Sequence, residues 1–415
     1  MRNAMNLLSL VALAGLLLGG CERTVEPLTG PKSIRVTFNE AAADVLGSDE
    51  EPLPFSHEPT GFTIDIAVLG YDDAVIADFD GELALRVKPG TVTTPHPATI
   101  DIRSGVVTGV YVEVKKAFGP TRIWVEDTER EGASWATGVS PMLRFEDPTV
   151  AQTQAPTGDD LSALVDNHVQ IRTEGRELIV THVASDGFYV SDMTDFPEPY
   201  GHTFAFSFSR PRDLEAGDKL SSLDGNVDEY LAFTELSFPS WLVESAGNDL
   251  PDPITVSADQ LCGGTAEMEK LESAYVRVES VQTRFVDAED CTDYIEYGQW
   301  PVQLIVEGAP CSPVELNVTS TYTVPGLRFE ECLEGGLPAA QTFEFLQGML
   351  RNNYAAEPEW ILELRGCEDL PEEDWPEDCV EESAAARAHF SGPRPVPPQH
   401  RRSIPYCEGV PYELD

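Results

Sequence analysis

Basic residues are scarce in this chain. It sets 27 Lys+Arg against 72 Asp+Glu, for a formal net charge of -45. A surplus of that size favours solubility and repels polyanions. It argues against nucleic acid and anionic membrane surfaces as main partners and permits cations such as Ca²⁺. Histidine is sparse too: His57, His96, His168, His182, His202, His389 and His400 are scattered. None sits in a His-Glu-x-x-His pattern, and Gly-x-Ser-x-Gly and P-loop signatures are absent, which removes the motif-based hydrolase and nucleotide-binding classes. Paired Cys-x-x-Cys and Cys/His clusters are missing, which disfavours structural zinc. Carboxylate pairs are too abundant to mark a site. Only a hydrolase of unrecognised geometry stays open, and the chain is expected not to be an enzyme.

Long apolar runs are also lacking, except at the start. Arg2 precedes Leu7-Leu8-Ser9-Leu10-Val11-Ala12-Leu13-Ala14-Gly15-Leu16-Leu17-Leu18. A membrane-spanning helix needs about 20 apolar residues. This run is shorter and has the proportions of a signal-peptide core. Leu18-Gly19-Gly20-Cys21 follows. The order of an aliphatic residue, two small residues and a cysteine resembles the lipobox of bacterial lipoproteins. That resemblance implies cleavage before Cys21, lipid on its thiol and firm membrane attachment, since two or more acyl chains anchor stably. Residues 1–20 are then a signal peptide and 21–32 a lipidated tether. Glu22 is not the aspartate that retains such proteins in the inner membrane of enteric bacteria. The expectation is therefore an outer-membrane lipoprotein, facing the periplasm or the cell surface.

Between Cys21 and Cys262 there is no cysteine. The rest are Cys262, Cys291, Cys311, Cys332, Cys367, Cys379 and Cys407. In an exported chain these are candidate disulfide cysteines. Their number is odd, so one is left unpaired, and spacing does not reveal the connectivity.

What is present is β pattern. Over residues 33–142, Ser33–Phe38, Phe62–Val68, Gly81–Val87, Val107–Val114 and Thr121–Asp127 alternate apolar and polar residues. Turn signals such as Asp80-Gly81 and Pro89-Gly90 punctuate them, as in a sandwich. Asp78-Phe79-Asp80-Gly81, a strand, Pro89-Gly90, then Gly105-Val106-Val107 resembles the bacterial immunoglobulin-like repeats of surface proteins. That implies a spacing or binding module. Asp72, Asp73, Asp78 and Asp80 cluster at one hairpin. Ca²⁺ takes about six to eight oxygens, and the spacing is not an EF-hand loop. Solvated turns are the favoured reading. Structural calcium is the one cofactor the sequence admits, and otherwise none is expected.

Residues 143–164, with Pro148, Pro156 and Gly158, read as a linker. Residues 165–250 carry Glu177–Val183, Gly187-Phe188-Tyr189-Val190-Ser191-Asp192, Thr203–Phe208, Leu214–Leu220 with its Gly217-Asp218 step, Gly225–Tyr230 and Thr234-Glu235-Leu236. This order is similar to OB-fold modules found beside extracellular nucleases and in envelope lipoproteins. Leu220-Ser221-Ser222-Leu223 departs from the family's alternating valines, which leaves that strand's register open. OB-folds often stack single-stranded nucleic acid on aromatics in a basic groove. Phe188, Tyr189, Phe204, Phe206 and Phe208 supply aromatics. Arg172, Arg176, Arg210, Arg212 and Lys219 are outnumbered by acidic residues, so nucleic acid is not expected as a partner. Phe204, Phe206 and Phe208 share one face and read as a core stripe.

Residues 251–366 hold Glu272, a strand at Leu271–Val281, and further candidates at Trp300–Val306, Val314–Val318, Phe343–Leu350 and Glu359–Leu364. Five strands allow a second OB-like barrel stapled by disulfides. Residues 367–415, acidic and then rich in proline and arginine, read as a largely disordered tail. The fold class expected is mainly β: an immunoglobulin-like sandwich followed by one or two OB-like β-barrels. The expected role is a non-catalytic, membrane-anchored binding or spacer module with a protein or glycan partner. The alternative is an accessory OB-fold protein related to extracellular nucleases, binding nucleic acid or another ligand.

Overall fold

The computed structural model describes residues 30–379 apart from 40–45, 57, 129–135, 158–160, 258–259, 261–264, 305–314, 321–322, 325 and 354–359. The fold is mainly β. Residues 33–144 form two facing antiparallel sheets. The first contains β1 (Ser33–Phe38), β2 (Thr60–Leu69), β6 (Val106–Lys115) and β4 (Thr91–Thr94), in the order β1-β2-β6-β4. The second contains β5 (Thr99–Ile102), β3 (Gly81–Lys88), β7 (Pro120–Asp127) and β8 (Thr137–Val139), in the order β5-β3-β7-β8, and β9 (Leu143–Arg144) also pairs with β7. Successive strand residues point to opposite faces. The apolar set Phe62, Ile64, Ile66 and Val68 therefore meets Leu83, Leu85, Val87, Ile123 and Val125 in one core.

The stretch expected as a linker is packed structure. Thr149 caps α1 (Val150–Gln154) through a reciprocal box, its side chain accepting from the Gln152 N–H at 3.3 Å while Gln152 Oε1 accepts from the Thr149 N–H at 2.9 Å. A short ladder of β10 (Pro156–Thr157) and β11 (Leu161–Ser162) follows. Val150 and Leu164 enter the first barrel's core together with Phe55 and Phe118 from the sandwich end. Ala163 and Val165 pack against the same core. The Arg172–Glu146 ion pair at 2.8 Å flanks it.

The first barrel is built from β12 (His168–Gln170), β13 (Leu178–Val183), β14 (Gly187–Asp192), β15 (His202–Phe206), β16 (Lys219–Tyr230) and β17 (Phe233–Ser245). β13, β14 and β15 form a meander, β15 pairs with β17 in parallel, and β17 returns through β16 to β13. That closed five-stranded order, with one parallel pair, is OB-like, and β12 adds to β16. Leu214–Asp218 precedes β16 rather than forming a strand. Register shifts in β16 at Lys219/Leu220 and Leu220/Ser222 accompany the departure read there in the sequence. Gly187 opens β14 under the Phe204 ring. A Cβ there would come within 2.4 Å of that ring and of the Ala205 carbonyl.

Residues 254–363 repeat the same closure. β18 (Ile254–Thr255) lies beside β19 (Tyr275–Thr283), after α2 (Thr265–Glu269). β19, β20 (Gln299–Leu304), β21 (Glu315–Thr319), β23 (Trp360–Glu363) and β22 (Thr342–Asn352) form a ring with β21 and β23 parallel. It is a second OB-like barrel. α3 (Ala288–Tyr297) is a helix the strand pattern does not announce. Asp287 caps it in a box with Asp290, and Gly298 ends it in the left-handed conformation. Cys291 of α3 is bridged to Cys332 of α4 (Glu330–Leu333), and Cys367 to Cys379. Residues 367–379, expected to begin a disordered tail, instead pack on this barrel, with Leu370 and Cys379 buried. The disulfide and a few apolar side chains supply what composition alone does not show.

Candidate functional site

The two barrels meet face to face. Tyr189, Phe204, Phe233 and Ala184 of the first cluster with Tyr275 and Met349 of the second. The aromatic stripe is therefore corrected. Ala205 faces the first barrel's core, while Phe204 points away from it, toward the second barrel. Phe206 and Phe208 continue outward, and Phe208 (57% exposed) packs against Phe238 (60%) with ring centroids 4.8 Å apart and the rings tilted by 49°. Burying each large side chain in such a seam contributes about 1.5–3 kcal/mol.

Polar groups lock the seam. The Tyr189 hydroxyl donates to Glu363 Oε2 at 2.8 Å, and His182 Nε2 lies 3.8 Å from Glu363 Oε1. The Thr234 N–H donates to Glu272 Oε1 at 3.1 Å, and the Tyr200 N–H to the Lys270 carbonyl at 2.9 Å. Burial pushes the Glu363 carboxyl up. The proximity of His182, the Arg351 charge and the Tyr189 hydroxyl outweigh it, and the net shift is downward. Burial works against the charge of Arg351, while Tyr189, Glu363, Asp186 and Glu235 hold its pKa above the ordinary value. Burial, with Asp228 next, raises Glu235 to about 7. Burial, with Glu269 next, raises Glu272 well above the carboxylate range. His202, buried beside Ser191, is lowered to about 4 by desolvation.

Beside this lock a cleft of about 1040 Å³ opens. Thr181, His182 and Val183 of β13 form one wall. Ser209, Arg210, Pro211, Arg212, Leu214, Glu215, Ala216 and Leu250 add the rest of the first barrel's side, and Thr323, Arg365 and Glu368 come from the second barrel's side. Thr181 is the extra residue of a β-bulge: Val180 pairs with Val190 and His182 with Tyr189. Bulges re-aim side chains and are common beside functional sites.

The sequence-derived candidates fall elsewhere. Cys21, Cys262, Cys311 and Cys407, with His57, His389 and His400, lie outside the described residues. Asp72, Asp73, Asp78 and Asp80 are exposed in turns. Asp72 accepts from the Ala74 N–H, Asp73 pairs with Lys32 at 2.9 Å and Asp80 accepts from the Ser104 N–H. Among the described residues no group of three or more His, Cys, Asp or Glu is disposed to hold a metal. Of the basic set, Arg176 bridges Asp192 and Asp195, Lys219 pairs with Glu244, and Arg210 and Arg212 reach the cleft. Phe188 is core. The lock residues His182, Arg351 and Glu363 carry no motif. Glu272 had a signal, its place just before a barrel strand.

No family model matches the chain, and no curated protein matches it. Three solved chains do. One is the crystal structure of chicken CNTN1 FN1-FN3 domains, 10% identical, covering 81% of this chain and 98% of that one at a TM-score of 0.15. At that score the likeness bears on neither fold nor function.

Proposed function

We propose that this chain is a non-catalytic, lipid-tethered envelope protein that carries its fused barrels away from an outer membrane as a binding and spacing module. The observation that supports this reading is how the first barrel uses its outer face. In an OB-fold the face of the second and third strands is a customary place for oligonucleotides and oligosaccharides. Here those strands are β14 and β15, and their outward Tyr189 and Phe204 are covered by Tyr275 and Met349 of the second barrel. The surface that a nuclease-associated module would offer to nucleic acid is spent on holding two barrels together.

Protease shaving of intact cells, with lysed cells as control, tests the placement. Peptides from 165–364 released from intact cells support an outward-facing module. Release only on lysis places the body in the periplasm and directs the search to envelope partners. Cys21→Ala is expected to free the protein from membranes, and persistent attachment would refute the anchor. Salt-sensitive binding of single-stranded DNA, or metal-dependent phosphodiesterase activity, would favour the nuclease-associated alternative.

A further inference from the structure

The outer face of one sandwich sheet gathers cations in a chain that has few. Leu85, Val87, Ile123 and Val125 turn into the sandwich core. Alternation therefore sets Arg86, Lys88, Arg122 and Trp124 on the solvent side, where all four are exposed. The register places Lys88 opposite Arg122 and Arg86 opposite Trp124 across β3 and β7, and Trp124 opposite Val139 across β7 and β8. Directly opposed side chains are about 4.5–5.5 Å apart at Cβ, and same-face neighbours along a strand about 6.5 Å.

Two features of this face oppose folding. Like charges directly opposite each other destabilise a sheet, yet Lys88 and Arg122 are so placed, and neither has an ion pair among the described residues. Trp124 is 39% exposed and Val139 37%, so two apolar side chains stand in water side by side. Both costs fall when a ligand sets an anion between the cations and an apolar ring face on the indole. Arg122 is held in advance: one terminal nitrogen donates to the Ser140 carbonyl at 3.1 Å, and most of its five N–H donors remain. Glu126 comes next on the same face, 3.6 Å from Arg86. Cation, ring and carboxylate thus follow one another along β7 at Arg122, Trp124 and Glu126.

We infer that this face binds a carboxylated sugar residue of a glycan. Its carboxylate sits between Lys88 and Arg122, its ring lies on Trp124, and a hydroxyl donates to Glu126. Guanidinium groups match carboxylates in geometry and charge. A pyranose with a carboxylate outside the ring spans the step from Arg122 to Trp124. Its C–H face carries partial positive charge and suits the negative face of an aromatic ring. A polyanion is disfavoured, because beyond Glu126 the same face carries Glu82 opposite Asp101. The inference names a ligand for the binding role proposed above and does not need the lipid anchor.

The test is saturation-transfer NMR on the full chain with methyl glucuronide, methyl glucoside and acetate at low salt. Methyl glucuronide is expected to bind with a Kd of about 1–10 mM. The glucoside, which lacks the carboxylate, and acetate, which lacks the ring, are each expected to bind about tenfold more weakly. Trp124→Ala is expected to abolish the signal, and added salt to weaken it. Lys88→Gln is expected to weaken binding about fivefold with the melting temperature unchanged or higher, because it also relieves the repulsion from Arg122. A damaged fold would lower both. No transfer to the glucuronide, equal affinity for the glucoside or acetate, or binding unchanged in either variant overturns the proposal. So does Trp124-dependent binding to phosphatidylglycerol vesicles with none to the glucuronide, which would make the face a membrane contact. A negative result leaves the membrane placement untouched, since the shaving experiment reads that separately.

Discussion

Tyr189 of the first barrel and Glu363 of the second are joined by a 2.8 Å hydrogen bond across 174 residues of sequence. It sits where an OB module would otherwise meet a ligand, so removing it tests the seam without touching either core. Tyr189→Phe is expected to cost about 1–3 kcal/mol, because a buried carboxylate loses a donor. Denaturant unfolding reads this. The Glu363 pKa is depressed in the folded state. Its stabilisation is therefore present at neutral pH and is lost as pH falls through the folded value, which lies below glutamate's ordinary one. The variant's deficit is expected to shrink in acid, and a deficit unchanged by pH would contradict this.

Glu235 carries the opposite sign. Its pKa is raised to about 7, so between the ordinary carboxylate value and 7 the folded state holds the extra proton. Stability from this group falls as pH rises through that window. Glu235→Gln is expected to raise the melting temperature at pH 8 by a few degrees, about 2–4 °C per kcal/mol for a body this size. At pH 5 the gain is expected to be smaller. Melting curves of both proteins at the two pH values decide it.

His202 works against Glu235 over part of the same range. Buried with its pKa lowered to about 4, it stays neutral where an unfolded histidine takes up a proton. Its contribution falls as pH drops from the ordinary histidine value of 6.5 toward 4. Imidazole resonances from His202 are expected not to titrate between pH 5 and 8, and a midpoint near 6.5 would show that the ring is solvated.

The Cys291–Cys332 bridge ties α3 to α4 across 41 residues. Replacing both cysteines with serine is expected to cost about 2–4 kcal/mol, chiefly by freeing the unfolded chain. Chemical denaturation of the oxidised parent and the double variant measures this, and equal midpoints would refute it.

Alternation made most strands legible, because a period of two is what a half-buried strand imposes. β2, β3 and β7 follow their expected runs closely. The same rule misplaced Phe204, since alternation says that two faces differ but not which barrel each face meets. β14 is buried on both sides, with Phe188 and Val190 in the first barrel's core and Tyr189 in the seam. α3 was missed although its Asp287…Asp290 box and closing Gly298 were readable, because its body is largely polar and only Cys291 is buried. The joint at 143–164 turned on a few apolar side chains, Val150 and Leu164 among them, that composition averages away. His182 and Glu363 could not have been paired from sequence, since only closure of both barrels brings them together.

Native-state hydrogen exchange tests most directly whether the two barrels are one body. Backbone amides of Val190 in β14 and Val278 in β19 are expected to open with the same free energy under increasing denaturant, as members of one cooperative unit. In the variant lacking Cys291 and Cys332 both are expected to lose protection by the same amount, although only the second barrel was altered. Loss at Val278 with Val190 unchanged would mean that the barrels unfold independently, and the locked seam would not exist in solution.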